Sequence, residues 1–206
     1  MTGQLHIWRV RALAWLAVLF GQRERAVELH RELVRLSPAD AVARSGLAHL
    51  HVEAGQTDAA VRDFERLLEI DPSSADDWFN LGFLHDKRDE LADAERCFER
   101  AVALLPSLDR AWYGLGLVRV RLGRLAEAVD AFARNIKLQP MSPYGYFQLA
   151  MTYQHLGRTD DAWRIHHQLL QFEPKYAATL KRDLAKLATA ADGSGERNLA
   201  SEARTT

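Results

Sequence analysis

Five prolines, Pro38, Pro72, Pro106, Pro140 and Pro174, stand 34 residues apart without a slip. A fixed period of this length means one supersecondary unit used again and again, so the chain can fold only by stacking such units. Aligning on the prolines brings other columns into register. Leu13, Leu47, Leu81, Leu115 and Leu149 form one; Ala26, Ala60, Ala94, Ala128 and Ala162 form another. Gly21, Gly55, Gly123 and Gly157 share a column in which Asp89 is the exception. Phe64, Phe98 and Phe132 share one that ends in His30 and His166.

Each unit reads as two helices. In the third, Trp78, Leu81, Gly82 and His85 recur at i, i+3, i+4 and i+7 on one face, and Ala94, Phe98, Ala101 and Val102 do the same further on. The glycine column lies between them, where a left-handed residue closes the first helix. Thr57-Asp58 and Thr159-Asp160 suit N-caps, Ser74-x-x-Asp77 resembles a capping box, and Ser142-Pro143 puts proline in a first turn. The periodic prolines fall just past each second helix and forbid its continuation.

The strings WFNLGFLH…DAERCFERAVALLP and WYGLGLVR…EAVDAFARNIKLQP resemble the tetratricopeptide repeat, whose pattern is W-x-x-L-G-x-x-Y…A-x-x-x-F…P. The resemblance implies an all-α fold, a right-handed superhelical solenoid of five antiparallel helix pairs plus a C-terminal capping helix. The solenoid would span 1–190, with repeats at about 7–40, 41–74, 75–108, 109–142 and 143–176 and the cap at 177–190. Residues 191–206 have almost no apolar content and are expected to be a disordered polar tail. Arg44 in the tryptophan column and Asn135 in a usually small, buried column depart from the pattern.

The same register disposes of candidate chemistry. AWYGLG at 111–116 has the G-x-G look of a phosphate loop, but such a loop needs a strand before it and a helix opening after it. Here both glycines lie inside a helix. No H-E-x-x-H occurs, and Cys97 is the lone cysteine, so neither a zinc set nor an intrachain disulfide is suggested. His51 and His85 stand where the family usually has tyrosine, as packing residues. No catalytic residue, metal or cofactor is expected, and the chain is not read as an enzyme. A formal net charge of −1 argues against nucleic acid as a partner. The apolar run Ala12–Phe20 is too short to span a bilayer and lacks a cleavage pattern after it, so no membrane insertion is expected and a cytoplasmic setting is favoured.

A second apolar stripe runs along the first helices, one residue out of step with the packing stripe: Phe79 and Phe83, Tyr113 and Leu117, Phe147 and Met151. Each pair is spaced i, i+4 and shares a face. In the family the first helices line the concave surface where peptides bind, so the resemblance implies that this stripe floors a partner-binding groove. Trp15, His49, Asp76, Asn80, Lys87, Arg110, Tyr144 and Gln148 would line it as well. Gly114, like Gly46 two units earlier, would leave a gap in the floor. The carboxylate clamp of one subgroup of the family is poorly matched, because Ser45 and His49 stand where Lys and Asn are wanted and Gly114 replaces an Arg. Neighbouring units could instead cover the stripe. The first helix, His6 to Phe20, is apolar on nearly every side, which suits either a buried terminal helix or docking on a second copy through residues 6–20. The function expected is a non-catalytic adaptor for an extended peptide or partner helix; the alternative is a scaffold that self-assembles through its first helix.

Overall fold

The computed structural model describes residues 2–202, and the side chains of 3–189. All secondary structure among these residues is helical: α1 (Thr2–Leu19), α2 (Arg23–Leu36), α3 (Ala41–Glu53), α4 (Thr57–Ile70), α5 (Ala75–Lys87), α6 (Leu91–Leu104), α7 (Asp109–Arg121), α8 (Leu125–Leu138), α9 (Pro143–His155), α10 (Thr159–Leu170) and α11 (Pro174–Glu202). The five 34-residue units become five helix hairpins, α1/α2 to α9/α10, followed by α11. No helix among the described residues is long and apolar enough to cross a membrane.

The pairing follows from the stripes. In α4, Ala60, Val61, Phe64, Leu67 and Leu68 are buried, a single face of a helix that is otherwise charged. In α5 the buried set is Leu81, Gly82, Leu84 and His85, which leaves Phe79 and Phe83 on another side. Between the two helices of a hairpin, Gly21, Gly55, Gly123 and Gly157 take φ values of 66 to 76°, and Asp89 takes the same turn at 64°. The turn lets Gln56 N–H reach the carbonyl of His51 at 2.9 Å and Glu90 N–H reach that of His85 at 3.0 Å. These bonds use carbonyls that a helix end leaves without a partner.

The turn also moves the helix starts. Thr57 and Thr159, expected as N-caps, are already the first helical residues; Gln56 and Arg158 precede them and make no side-chain cap. Ser74 does cap α5, accepting from Asp77 N–H at 3.2 Å, and Asp40 caps α3 from Ala43 N–H at 3.0 Å. Pro143 opens α9 as expected. Pro174 behaves differently from the other periodic prolines, because it is itself the first residue of α11. The cap therefore begins three residues before the expected 177. The expected tail, 191–206, lies outside the described side chains, and 203–206 lie outside the described residues altogether.

Packing divides the chain into two compact units, one ending at Leu108 and one beginning at Asp109. The first holds three hairpins. Val10, Ala14, Ala17, Leu29 and Leu33 make one cluster in it, and Ala48, Phe64, Leu67, Leu81 and Cys97 make another. In the second unit Phe132, Tyr146, Leu149, Leu169, Leu180 and Leu184 form a continuous core with α11 packed into it.

The irregular positions resolve into specific contacts. Trp78 Nε1 donates to the carbonyl of Pro72 at 2.9 Å, and the Tyr146 hydroxyl donates to that of Pro140 at 3.1 Å. Arg44, in the same column, reaches Pro38 O with Nη2 at 3.4 Å and pairs with Asp63 through Nη1 at 3.4 Å. Arginine thus keeps the tie to the proline turn that the indole makes elsewhere. Asn135 is buried and donates through Nδ2 to Asp109 O at 2.9 Å. Its Oδ1 occupies the space that a Cβ on Gly145 would need, so the large residue in α8 and the missing side chain in α9 answer one another.

Candidate functional site

The first helices carry the expected stripe. In the unit ending at Leu108 it begins with a cleft of about 470 Å³ between α1 and α3, lined by Trp15, Val18, Val42, Gly46, His49 and Leu50. Trp15 is 63% exposed. Gly46 was expected to open the floor. The His30 ring lies 2.5 Å from where its Cβ would stand, so the missing side chain accommodates a histidine of α2, and the expected opening is filled. His30 Nδ1 is itself 2.9 Å from the Ala26 carbonyl, which fixes the ring.

His49 is held on three sides. Its ring meets Phe64 edge-on at 5.3 Å, its Nδ1 donates to Ser45 O at 2.8 Å, and its Nε2 accepts from Asn80 Nδ2 at 3.3 Å. That proton arrangement satisfies both ring nitrogens and ties α3 to α5. Phe79 is half-buried with its ring 5.8 Å from Phe98. Phe83, one turn on, is 42% exposed, and Lys87 Nζ stands 4.7 Å from the centre of its ring. The ammonium over the ring face is favourable. Asp76 is exposed in the first turn of α5, where a carboxylate suits the helix dipole.

In the unit beginning at Asp109, Tyr113, Leu117, Phe147 and Met151 are half-buried and pack against the core. The Tyr113 ring lies 6.0 Å from Phe132. Burial raises its hydroxyl pKa above the ordinary tyrosine value, against the opposing effect of a hydrogen bond with Gln148. Gly114, beside it, is half-buried, and Arg110 is exposed one turn earlier. The stripe is therefore neither bare nor covered: its rings rest on the hairpin core by one edge. Tyr144, in the first turn of α9, is 55% exposed. It meets Tyr176 at 5.7 Å with the rings 78° apart, at the rim of a pocket of about 320 Å³ lined also by Tyr113, Phe147, Gln148, Lys175 and Thr179.

Tyr176, Lys175, Val18 and Val42 are lining residues that the sequence reading missed. Val42 stands in the same 34-residue column as Asp76, Arg110 and Tyr144, so the repeat itself could have found it. Tyr176 and Lys175 could not be found that way, because α11 starts early and breaks the column.

Elsewhere, His85, Glu90 and Asp93 bring ligand-type atoms within 4.8 Å of one another at the α5–α6 turn. Glu90 already accepts from His85 Nδ1 at 2.6 Å and pairs with Arg88 at 2.7 Å, and Asp93 pairs with Arg96. The arrangement does the work of a turn lock. Cys97 is buried beside it, with its thiol pKa pushed up to about 12 by burial and then by Asp93. A nucleophilic thiolate needs the opposite shift.

Helix hairpins in a 34-residue period, each with an inward packing stripe, and with aromatic side chains on an outer face of every first helix but α3, define a helical repeat protein. The chain belongs to the tetratricopeptide repeat family: models of that repeat match residues 17–81 and 79–146. Its fold is the all-α helix-pair solenoid of that family. Crystal structures similar to it include MamA, at 22% identity and TM-score 0.77 over 84% of this chain and 94% of that one. MamA 41-end from Desulfovibrio magneticus RS-1 is similar at 20% identity and TM-score 0.73, over 82% and 95%. YrrB, a TPR protein with an unusual peptide-binding site, is similar at 22% identity and TM-score 0.75, over 82% and 88%. No curated protein matches the chain.

Proposed function

We propose that this chain is a non-catalytic adaptor whose first helices hold an extended peptide or a partner helix. The observation that carries the reading is that each unit leaves first-helix rings exposed, Phe83 in the one and Tyr144 in the other. Burying one such ring fully is worth roughly 1.5–3 kcal/mol, so a partner that covers several gains enough for specific binding. Asn80, Lys87, Arg110 and Gln148 supply polar groups around the rings, as an extended backbone needs. A reducing, cytoplasmic setting suits the single buried thiol. The likeness to YrrB, described as peptide-binding, supports the same class of activity.

Phe83→Ser with Tyr144→Ala tests this. Both side chains are exposed, so the melting temperature should hold while binding of peptides selected on the wild type is lost. Retained binding in the double variant refutes the reading.

A second reading is favoured by α1. Trp8, Trp15 and Leu19 are exposed along one side of it, and Leu5, Leu13 and Leu16 along another with Phe20 just past its end, while among its described side chains only Val10, Ala14 and Ala17 are buried. Such a double face suits docking on a second copy. Light scattering decides it: a dimer that Trp8→Glu with Leu16→Glu dissociates supports self-assembly, and a monomer at tens of micromolar excludes it.

A further inference from the structure

The pocket of Tyr113, Tyr144, Phe147 and Tyr176 has a chemistry of its own, and the inference drawn from it rests on the adaptor reading. Four aromatic rings line it, and its polar lining groups are Gln148, Lys175, Thr179 and the tyrosine hydroxyls. Among the described residues no carboxylate lines it, although Glu173 is near enough to act on the Tyr176 hydroxyl. Tyr176 donates to the Tyr144 hydroxyl at 3.4 Å, which leaves the proton of Tyr144 for an acceptor outside the protein. Thr179 spends its own proton on the Lys175 carbonyl at 3.3 Å. The side chains at the rim thus offer donors and ring faces.

Three kinds of occupant would use rings. A cation would find Lys175 opposed to it. A partner helix keeps its carbonyls in its own hydrogen bonds, and the donors would have nothing to meet. A polyproline II segment has no internal hydrogen bonds, exposes its carbonyls all round, and stacks its pyrrolidine rings on aromatic faces. Tyr144 and Tyr176 meet edge to face, their planes 78° apart, and both line the pocket, so the corner between them can take a pyrrolidine ring. Lys175 adds a charge that favours an acidic neighbour. We infer that the pocket between α7, α9 and α11 binds a proline-containing segment in polyproline II form that carries an acidic residue beside its prolines.

The test uses the full chain and a fluorescein-labelled peptide with two Pro-Pro pairs flanked by aspartate, read by anisotropy. Three comparison peptides carry alanine for proline, lysine for aspartate, or an amphipathic helical sequence. The proline–aspartate peptide should bind best. Tyr176→Ala should weaken it about tenfold, or 1.4 kcal/mol, while Tyr176→Phe largely preserves it. Lys175→Glu should reverse the preference between the aspartate and lysine peptides. Equal binding of the proline and alanine peptides, or indifference to Tyr176→Ala, overturns the inference. If the helical peptide alone binds, and Phe83→Ser with Tyr144→Ala abolishes that binding, the proline segment is refuted and the adaptor reading survives. If none of the peptides binds, the inference fails; the adaptor reading is then judged by selection from a random library.

Discussion

Asn135 in α8 and Gly145 in α9 occupy one volume: the side-chain oxygen of the first fills the Cβ position of the second. The amide end of the same asparagine holds the carbonyl of Asp109 at the start of α7. One buried polar side chain therefore sets the spacing of three helices. Gly145→Ala should destabilise the protein by about 1–3 kcal/mol through overpacking. Adding Asn135→Ala should recover part of that loss, although Asn135→Ala alone is destabilising. Urea denaturation of the four-protein cycle measures the coupling, and strict additivity would contradict the shared volume.

The bond from Trp78 Nε1 to Pro72 O predicts a smaller effect. Trp78→Phe keeps a ring in place and deletes the donor, at a cost of about 1 kcal/mol. Arg44, which makes the equivalent tie to Pro38, should respond similarly to Arg44→Met, with an added loss because Asp63 would lose a partner. Thermal melts of the two variants check this.

Repeat length, hairpin order, the positive-φ column and the inward stripe were all legible in the sequence, because each depends on spacing within a single unit. Asn135 and Arg44 were visible only as departures. The reason for Asn135 lies in Gly145, which no column links to it; the reason for Arg44 lies in a hydrogen bond to Pro38 and a pair with Asp63 that its residue type does not announce. The stripe of Phe79, Tyr113 and Phe147 was legible as a face, but not its depth. For Phe79 and Tyr113 depth depends on how closely the rings approach Phe98 and Phe132. Gly46 was misread for the same reason, since the His30 ring that fills its gap comes from the preceding hairpin.

His166 gives a pH prediction. It is buried, and its Nδ1 has no hydrogen-bond partner. Burial lowers its pKa below the ordinary histidine value; the nearby His167 and Lys181 act the same way, while a backbone bond with Ala177 opposes them. A depressed histidine pKa means that the unfolded chain takes up the proton first as pH falls. The contribution is thus complete above about pH 6.5 and is lost as pH drops toward the folded-state pKa. The difference in urea midpoint between wild type and His166→Phe should move against the wild type between pH 7.5 and 5.5. A difference independent of pH would contradict it.

The Cys97 thiol, at about 12, should stay protonated and unreactive toward thiol reagents in the folded protein at pH 8. Labelling should track unfolding when urea is added. Rapid labelling in buffer would show that the α5–α6 hairpin opens on its own.

The central claim, that the first helices bind a peptide or partner helix, is tested most directly by selecting a random peptide library on the wild-type chain and on Phe83→Ser with Tyr144→Ala. Convergent sequences should be enriched on the wild type and lost on the variant, with melting temperatures unchanged. Equal enrichment on both proteins, or none on the wild type, would contradict it.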